Sequence, residues 1–194
     1  KYTVKLIKGN DTYTSQVELV PDVRSSYPAA DRELQQKTAR HLFEMTEDFA
    51  FLTERVMNVR DQAQARAAKL TGNDQKTLND LAAKSDALYK TLVATGEGGW
   101  LSGEEEIRER LGALYGSVNI YDGRPTDPQL HEATLIEKDI AKKSSAWDAI
   151  ANKELPAANK TLSAKNLDPI KPMTREEWDK KPGGHPTATM LDID

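Results

Sequence analysis

The sequence predicts a mainly α protein, an elongated antiparallel bundle of three-helix type with a broken middle layer, preceded by a β-hairpin. Three observations lead to this fold class. Apolar residues recur in steps of three and four along most of the chain, which is the spacing of a helical seam. Glycine and proline clusters interrupt that spacing at a few places only. Apolar and polar residues alternate near the start, which is typical of strands.

The alternation covers residues 2–20 and predicts a hairpin. Gly9 and Asn10 lie between the two alternating runs and tolerate the positive φ that tight turns need. A two-stranded hairpin is marginally stable alone and leaves one apolar face uncovered. The chain opens directly in this pattern, so we expect the hairpin to be the end of a larger, truncated β domain. The alternative is that its apolar face packs on the helices.

The longest seam follows a linker at residues 21–30, where Asp31 can cap the helix that follows. Its apolar positions predict a helix of roughly 40 residues, about 60 Å long. They are Leu42, Met45, Phe49, Leu52, Val56, Val59 and Ala63.

The remaining seams predict two further layers. Leu78, Leu81, Leu88 and Leu92 form the second seam, with Ser85 as its one polar position. A glycine-rich break at 96–101 separates it from a third seam, formed by Ile107, Leu111, Leu114 and Val118. The last seam contains Leu130, Ala133, Ile136, Ile140, Trp147, Ile150 and Leu162.

Two residue types define the ends and the shape of the last helix. Thr126 or Asp127 can cap its start, with Pro128 in the first turn. Pro156 lies inside it and predicts a kink, because proline removes one ladder hydrogen bond. The sequence therefore divides into a hairpin at 1–20, a linker at 21–30, a helical bundle at 31–167 and an extended tail at 168–194.

Composition argues against several classes of function. The 194 residues carry a formal net charge of −4, which does not favour nucleic acid as a partner. There is no cysteine, so disulfides and thiolate chemistry are excluded. No apolar run is long enough to span a membrane, and we expect no membrane insertion.

No catalytic or cofactor signature is found either. The three histidines lack the Glu-x-x-His spacing of a di-iron bundle, since Thr38 and Pro128 precede His41 and His131 by three residues. Contacts of His41 with Glu44, or of His131 with Glu132, are interpreted as surface features. The sequence therefore predicts no catalytic residue, no metal and no cofactor.

Three apolar residues are candidates for contact with a partner or a neighbouring domain. Trp100 and Leu101 lie among glycines in the break between two helices, and exposed tryptophan often dominates an interface. The alternative is that Trp100 folds back and closes the end of the bundle. Trp178 is the third candidate, and with Ile170 it can dock the tail.

Several short strings resemble the C-terminal region of large exported bacterial proteins built on sortilin-like or BNR-repeat β-propellers, often described as glycosyl-hydrolase-like. The strings are Tyr2 to Leu6, the linker Val20 to Arg24, Leu114-Tyr115-Gly116 and Asn166-Leu167-Asp168-Pro169-Ile170. Further matches are Val118, Asp122, Pro125-Thr126, Glu154-Leu155-Pro156 and Asn159. In that family a small β-sandwich strand pair follows the propeller and precedes a long helical domain.

The resemblance implies a non-catalytic accessory or scaffolding module at the C-terminus of an exported β-propeller protein. It implies an envelope or extracellular location. The partner that it implies is the upstream propeller, and the alternative is another protein. No functional residue is carried over, because the sites of such proteins lie on the propeller. Two alternatives stay open: the chain is part of a hydrolytic propeller enzyme whose active site lies elsewhere, or it self-associates through its helices.

Overall fold

The computed structural model describes residues 1–20, 22–95 and 106–181. The chain is mainly helical, with an antiparallel two-stranded hairpin at its start, as predicted. Strand β1 spans Tyr2–Lys8 and strand β2 spans Asp11–Val17, with Tyr2 opposite Val17 and Lys8 opposite Asp11. Gly9 has a φ of +61° in the first central position of the turn, which is where a type II′ turn requires glycine.

Helix α1 spans Ala29–Ala67 and has 39 residues, close to the predicted length. All seven predicted seam positions are buried, from Leu42 to Ala63. Pro28 occupies the N-cap position, so the helix begins before Asp31. Asp31 therefore does not cap the helix. It lies in the first turn, where its negative charge interacts favourably with the helix dipole.

Helix α2 spans Gly72–Tyr89, and helix α3 spans Ile107–Asn119. Gly72 has a φ of +64° at the junction with α1, a conformation that residues with a Cβ rarely adopt. The predicted apolar positions of both helices are buried, and so is Ser85. The predicted glycine-rich break at residues 96–101 lies outside the described residues.

Helix α4 spans Asp127–Ala149 and continues through a π-helical turn, Ile150–Glu154, into helix α5, Leu155–Ala164. Thr126 caps α4 as predicted, in a capping box with Gln129. In the π-helical turn the Leu155 N–H donates to the Ile150 carbonyl, five residues earlier. The interruption lies directly before Pro156, because proline cannot donate the α-helical hydrogen bond and a wider turn accommodates this loss.

The helices form three layers around one core. Helix α1 packs against both α2 and α3, α4 packs against α3, and α5 packs against α2. The side-chain amide of Gln35 near the start of α1 donates to the Val118 carbonyl near the end of α3, at 2.9 Å. At the other end of the bundle, Lys165 forms an ion pair of 3.0 Å with Asp74. The middle layer α2–α3 is therefore antiparallel to both of its neighbours.

The segment after α5 returns along the bundle and ends in a short helix, α6, Arg175–Asp179. We call residues 168–181 the strap. Ile170 and Trp178 of the strap are both buried, so this part of the predicted tail is docked on the helices.

Candidate interaction surfaces

The hairpin has one apolar face and one polar face, because side chains alternate along each strand. The apolar face combines cross-strand neighbours given by the register, such as Leu6 opposite Tyr13. We call it the hairpin surface; its apolar residues are Tyr2, Val4, Leu6, Tyr13 and Val17. The opposite face is mostly threonine, lysine and glutamine, with Ile7 as its one apolar residue.

The hairpin surface does not pack on the helical core. Leu6 is 61% exposed and Tyr13 is 54% exposed. The apolar side chains continue beyond β2, where Leu19, Val20 and Val23 are also exposed. The alternative that the hairpin covers its apolar face with the helices is therefore not what the structure shows. A contiguous exposed apolar surface of this kind marks an interaction site more often than scattered single residues do.

Both strands of the hairpin are edge strands, since the sheet contains β1 and β2 only among the described residues. An edge strand presents backbone N–H and C=O groups that can pair with another strand. The hairpin therefore offers a partner two kinds of contact, an apolar face and strand edges.

The linker that follows the hairpin is attached to the bundle. The Tyr27 ring packs on Tyr121 of the α3–α4 loop, with the ring centres 6.3 Å apart. Arg32 of α1 donates to the Tyr27 carbonyl at 2.7 Å. Gly123 lies beneath both rings, where a Cβ atom would be 2.7 Å from Tyr121 and 2.8 Å from Tyr27. These contacts anchor the end of the linker beside the start of α1 and the α3–α4 loop.

Trp178 is the one predicted contact residue within the described part of the chain. Its ring lies 5.6 Å from the ring of Phe51 on α1, and its side chain is almost completely buried. The Arg175 guanidinium lies over both rings, 4.8 Å from the Trp178 centre and 5.4 Å from the Phe51 centre. Trp178 thus joins the strap to α1 within the same chain. Trp100 and Leu101 lie outside the described residues.

Helix α6 was not predicted from the sequence. It begins with a reciprocal capping box in which the Thr174 hydroxyl accepts from the Glu177 N–H, and the Glu177 carboxylate accepts from the Thr174 N–H at 2.8 Å. The Thr174 backbone N–H, together with its hydroxyl, lowers the pKa of Glu177. The sequence signal for such a cap is a Thr-x-x-Glu string, and residues 174–177 contain this string.

A shallow groove between α1 and α4 contains His41 and Glu44, the histidine and glutamate that the sequence analysis interprets as a surface contact. It has a volume of about 380 Å³ and is lined in part by His41, Glu44, Asp48 and Glu137. His41 Nε2 lies 3.9 Å from a Glu137 carboxylate oxygen. Within residues 1–20, 22–95 and 106–181, no three histidine or acidic side chains are grouped closely enough to hold a metal ion. Over the same residues, no helix has the length and apolar character needed to cross a membrane.

Comparison with known proteins adds no relative. No family model, no curated protein and no solved structure matches this chain.

Proposed function

We propose that this chain is a non-catalytic interaction module, in which a rigid helical bundle presents the hairpin surface to a β-rich domain of the same, longer protein. The observation that carries this proposal is the exposure of Leu6 and Tyr13 on a hairpin whose strand edges are also open. A β-rich domain can cover the apolar face and pair with the open strand edges, because it can supply a layer over the face and a strand beside the hairpin.

The bundle supports this role by holding the end of the linker that connects it to the hairpin. The Tyr27–Tyr121 contact and the Arg32 hydrogen bond hold the linker against α1 and the α3–α4 loop. The sortilin-like or BNR-repeat resemblance supports an exported propeller protein as the parent, with the propeller region as the source of the β-rich domain.

The test uses the protein expressed from its complete natural gene. Leu6→Asp places a carboxylate on the hairpin surface, and we expect it to separate the β-rich domain from the bundle. Small-angle X-ray scattering then gives a larger radius of gyration for this variant than for the unmodified protein.

Ile7→Asp is the matched control, because Ile7 lies next in the same strand but on the polar face and is equally exposed. It is expected to leave the radius of gyration unchanged. Equal scattering curves for Leu6→Asp and the unmodified protein contradict the proposal, as does a gene that encodes no β-rich domain.

A further inference from the structure

The strap is held by side-chain amides that bind its backbone. Asn159 of α5 donates to the Ile170 carbonyl at 3.0 Å and accepts from the Ile170 N–H at 2.7 Å. Gln62 of α1 makes the same pair of bonds with Lys171, donating at 2.8 Å and accepting at 3.4 Å. Side chains of two different helices therefore form hydrogen bonds with the backbone of two consecutive strap residues.

Arg66 of α1 forms further hydrogen bonds with the backbone at the start of the strap. Its guanidinium donates to the Asp168 carbonyl at 2.8 Å and to the Pro169 carbonyl at 3.2 Å. All of these contacts are made to main-chain atoms, so they recognise an extended backbone whatever its side chains are. An amide that bonds both the N–H and the C=O of one residue offers the same donor and acceptor as a neighbouring β-strand.

Two side chains give this site its selectivity. Ile170 is 1% exposed and belongs to the hydrophobic core. Trp178, eight residues after Ile170, packs on Phe51 of α1. The ion pairs along the strap are more exposed, for example Arg175 with Asp48, and such pairs contribute little to binding. Recognition therefore depends on an extended backbone at residues 168–171, with the buried aliphatic Ile170, and on an aromatic residue in the short helix that follows.

From this geometry we infer that the groove between α1 and α5 is a peptide-recognition site, which the strap occupies as an internal ligand. Its external ligand is a segment of a partner protein that is extended around an aliphatic residue at the Ile170 position and forms a short helix that carries an aromatic residue eight positions further on. The strap competes with this segment at the high effective concentration that a covalent connection provides. The groove is separate from the hairpin surface, so its occupancy does not depend on the role of the hairpin.

The test measures binding of a fluorescein-labelled synthetic peptide with the sequence of residues 166–181, by fluorescence anisotropy. The full chain with Ile170→Ala and Trp178→Ala has a weakened strap, and we expect it to bind the peptide at least about tenfold more tightly than the unmodified chain does. Adding Gln62→Leu and Asn159→Leu to the weakened chain is expected to remove this gain. A peptide with aspartate at the Ile170 position is expected not to bind.

Equal binding by the weakened and the unmodified chains overturns the inference. Native-state hydrogen exchange of the unmodified chain gives an independent test if the weakened chain does not fold. The Ile170 and Lys171 amides are expected to exchange through local opening of the strap, and exchange by global unfolding alone contradicts the inference.

Discussion

Among the glycines that the structure describes, Gly123 is the one at which an added Cβ atom would clash with its neighbours. A Cβ atom there would be 2.7 Å from the Tyr121 ring and 2.8 Å from the Tyr27 ring, so that both rings must shift. The Tyr27–Tyr121 contact connects the linker to the bundle. We expect Gly123→Ala to lower the free energy of unfolding by about 1–3 kcal/mol, as overpacking does elsewhere. Urea unfolding followed by circular dichroism measures this change.

Gly116 provides the matched control. It lies in the exposed part of α3 with open space around its Cβ position. Alanine has the higher helix propensity, so Gly116→Ala is expected to raise the free energy of unfolding by up to about 1 kcal/mol. Equal effects at positions 116 and 123 would mean that the tyrosine contact does not constrain Gly123.

At the scale of single elements, the start of α4 depends on one side chain. The Thr126 hydroxyl accepts from the Gln129 N–H, and the Gln129 side chain accepts from the Thr126 N–H at 2.8 Å. Thr126→Ala removes the first of these bonds and is expected to lower the free energy of unfolding by about 0.5–2 kcal/mol. The measurement is chemical denaturation. Thr134→Ala, on an exposed position within the same helix, is the control and is expected to be neutral or slightly stabilising.

Helix α6 is expected to depend on pH through Glu177. Its pKa is lower in the folded protein, because the carboxylate accepts from the Thr174 N–H and hydroxyl. This contribution is therefore fully present above the ordinary carboxyl pKa and is lost as the pH falls through the lowered value. The chemical shift of the Thr174 amide, followed by NMR during acid titration, reports this change.

Glu177→Gln keeps the capping geometry but does not titrate, so the acid transition of the Thr174 amide is expected to disappear. Glu176→Gln is the comparison, since Glu176 pairs with Lys180 and does not cap the helix. An unchanged acid transition in the Glu177→Gln variant would show that another group controls α6.

The sequence predicts these elements unequally, for physical reasons. A seam repeated over many turns averages out local exceptions, so the buried faces of α1 to α5 could be predicted. The start of α1 could not be placed exactly, because Asp31 and Pro28 are both compatible with a helix start and the structure places Pro28 at the N-cap. Helix α6 has only five residues, too few to show a helical repeat.

The sites were harder to predict than the helices. The hairpin follows from alternation alone, but its lack of packing on the bundle is a tertiary property that no local pattern contains. Gln62 and Asn159 are separated from the strap residues they bind by 109 and 11 positions. Only the folded arrangement brings these amides together, and their spacing in the sequence has no recognisable motif.

At the scale of the whole molecule, three layers share one core that extends from the Gln35–Val118 contact to the Lys165–Asp74 ion pair. The strap is part of this unit, since Ile170 belongs to the core. The hairpin is not, since its apolar residues remain exposed. The bundle is therefore stabilised by its own packing, whereas the hairpin leaves its apolar face exposed, and we propose that a partner domain covers it.

Amide hydrogen exchange of residues 2–17 tests this separation most directly, measured in the isolated 194-residue chain and in the protein expressed from its complete natural gene. The hairpin of the isolated chain is expected to exchange rapidly, while the α1 core amides around Val56 and Val59 stay protected in both forms. In the complete protein the hairpin amides are expected to become protected as well. Identical rapid exchange of the hairpin in both forms would contradict the account, because it would show that no β-rich domain covers the hairpin surface.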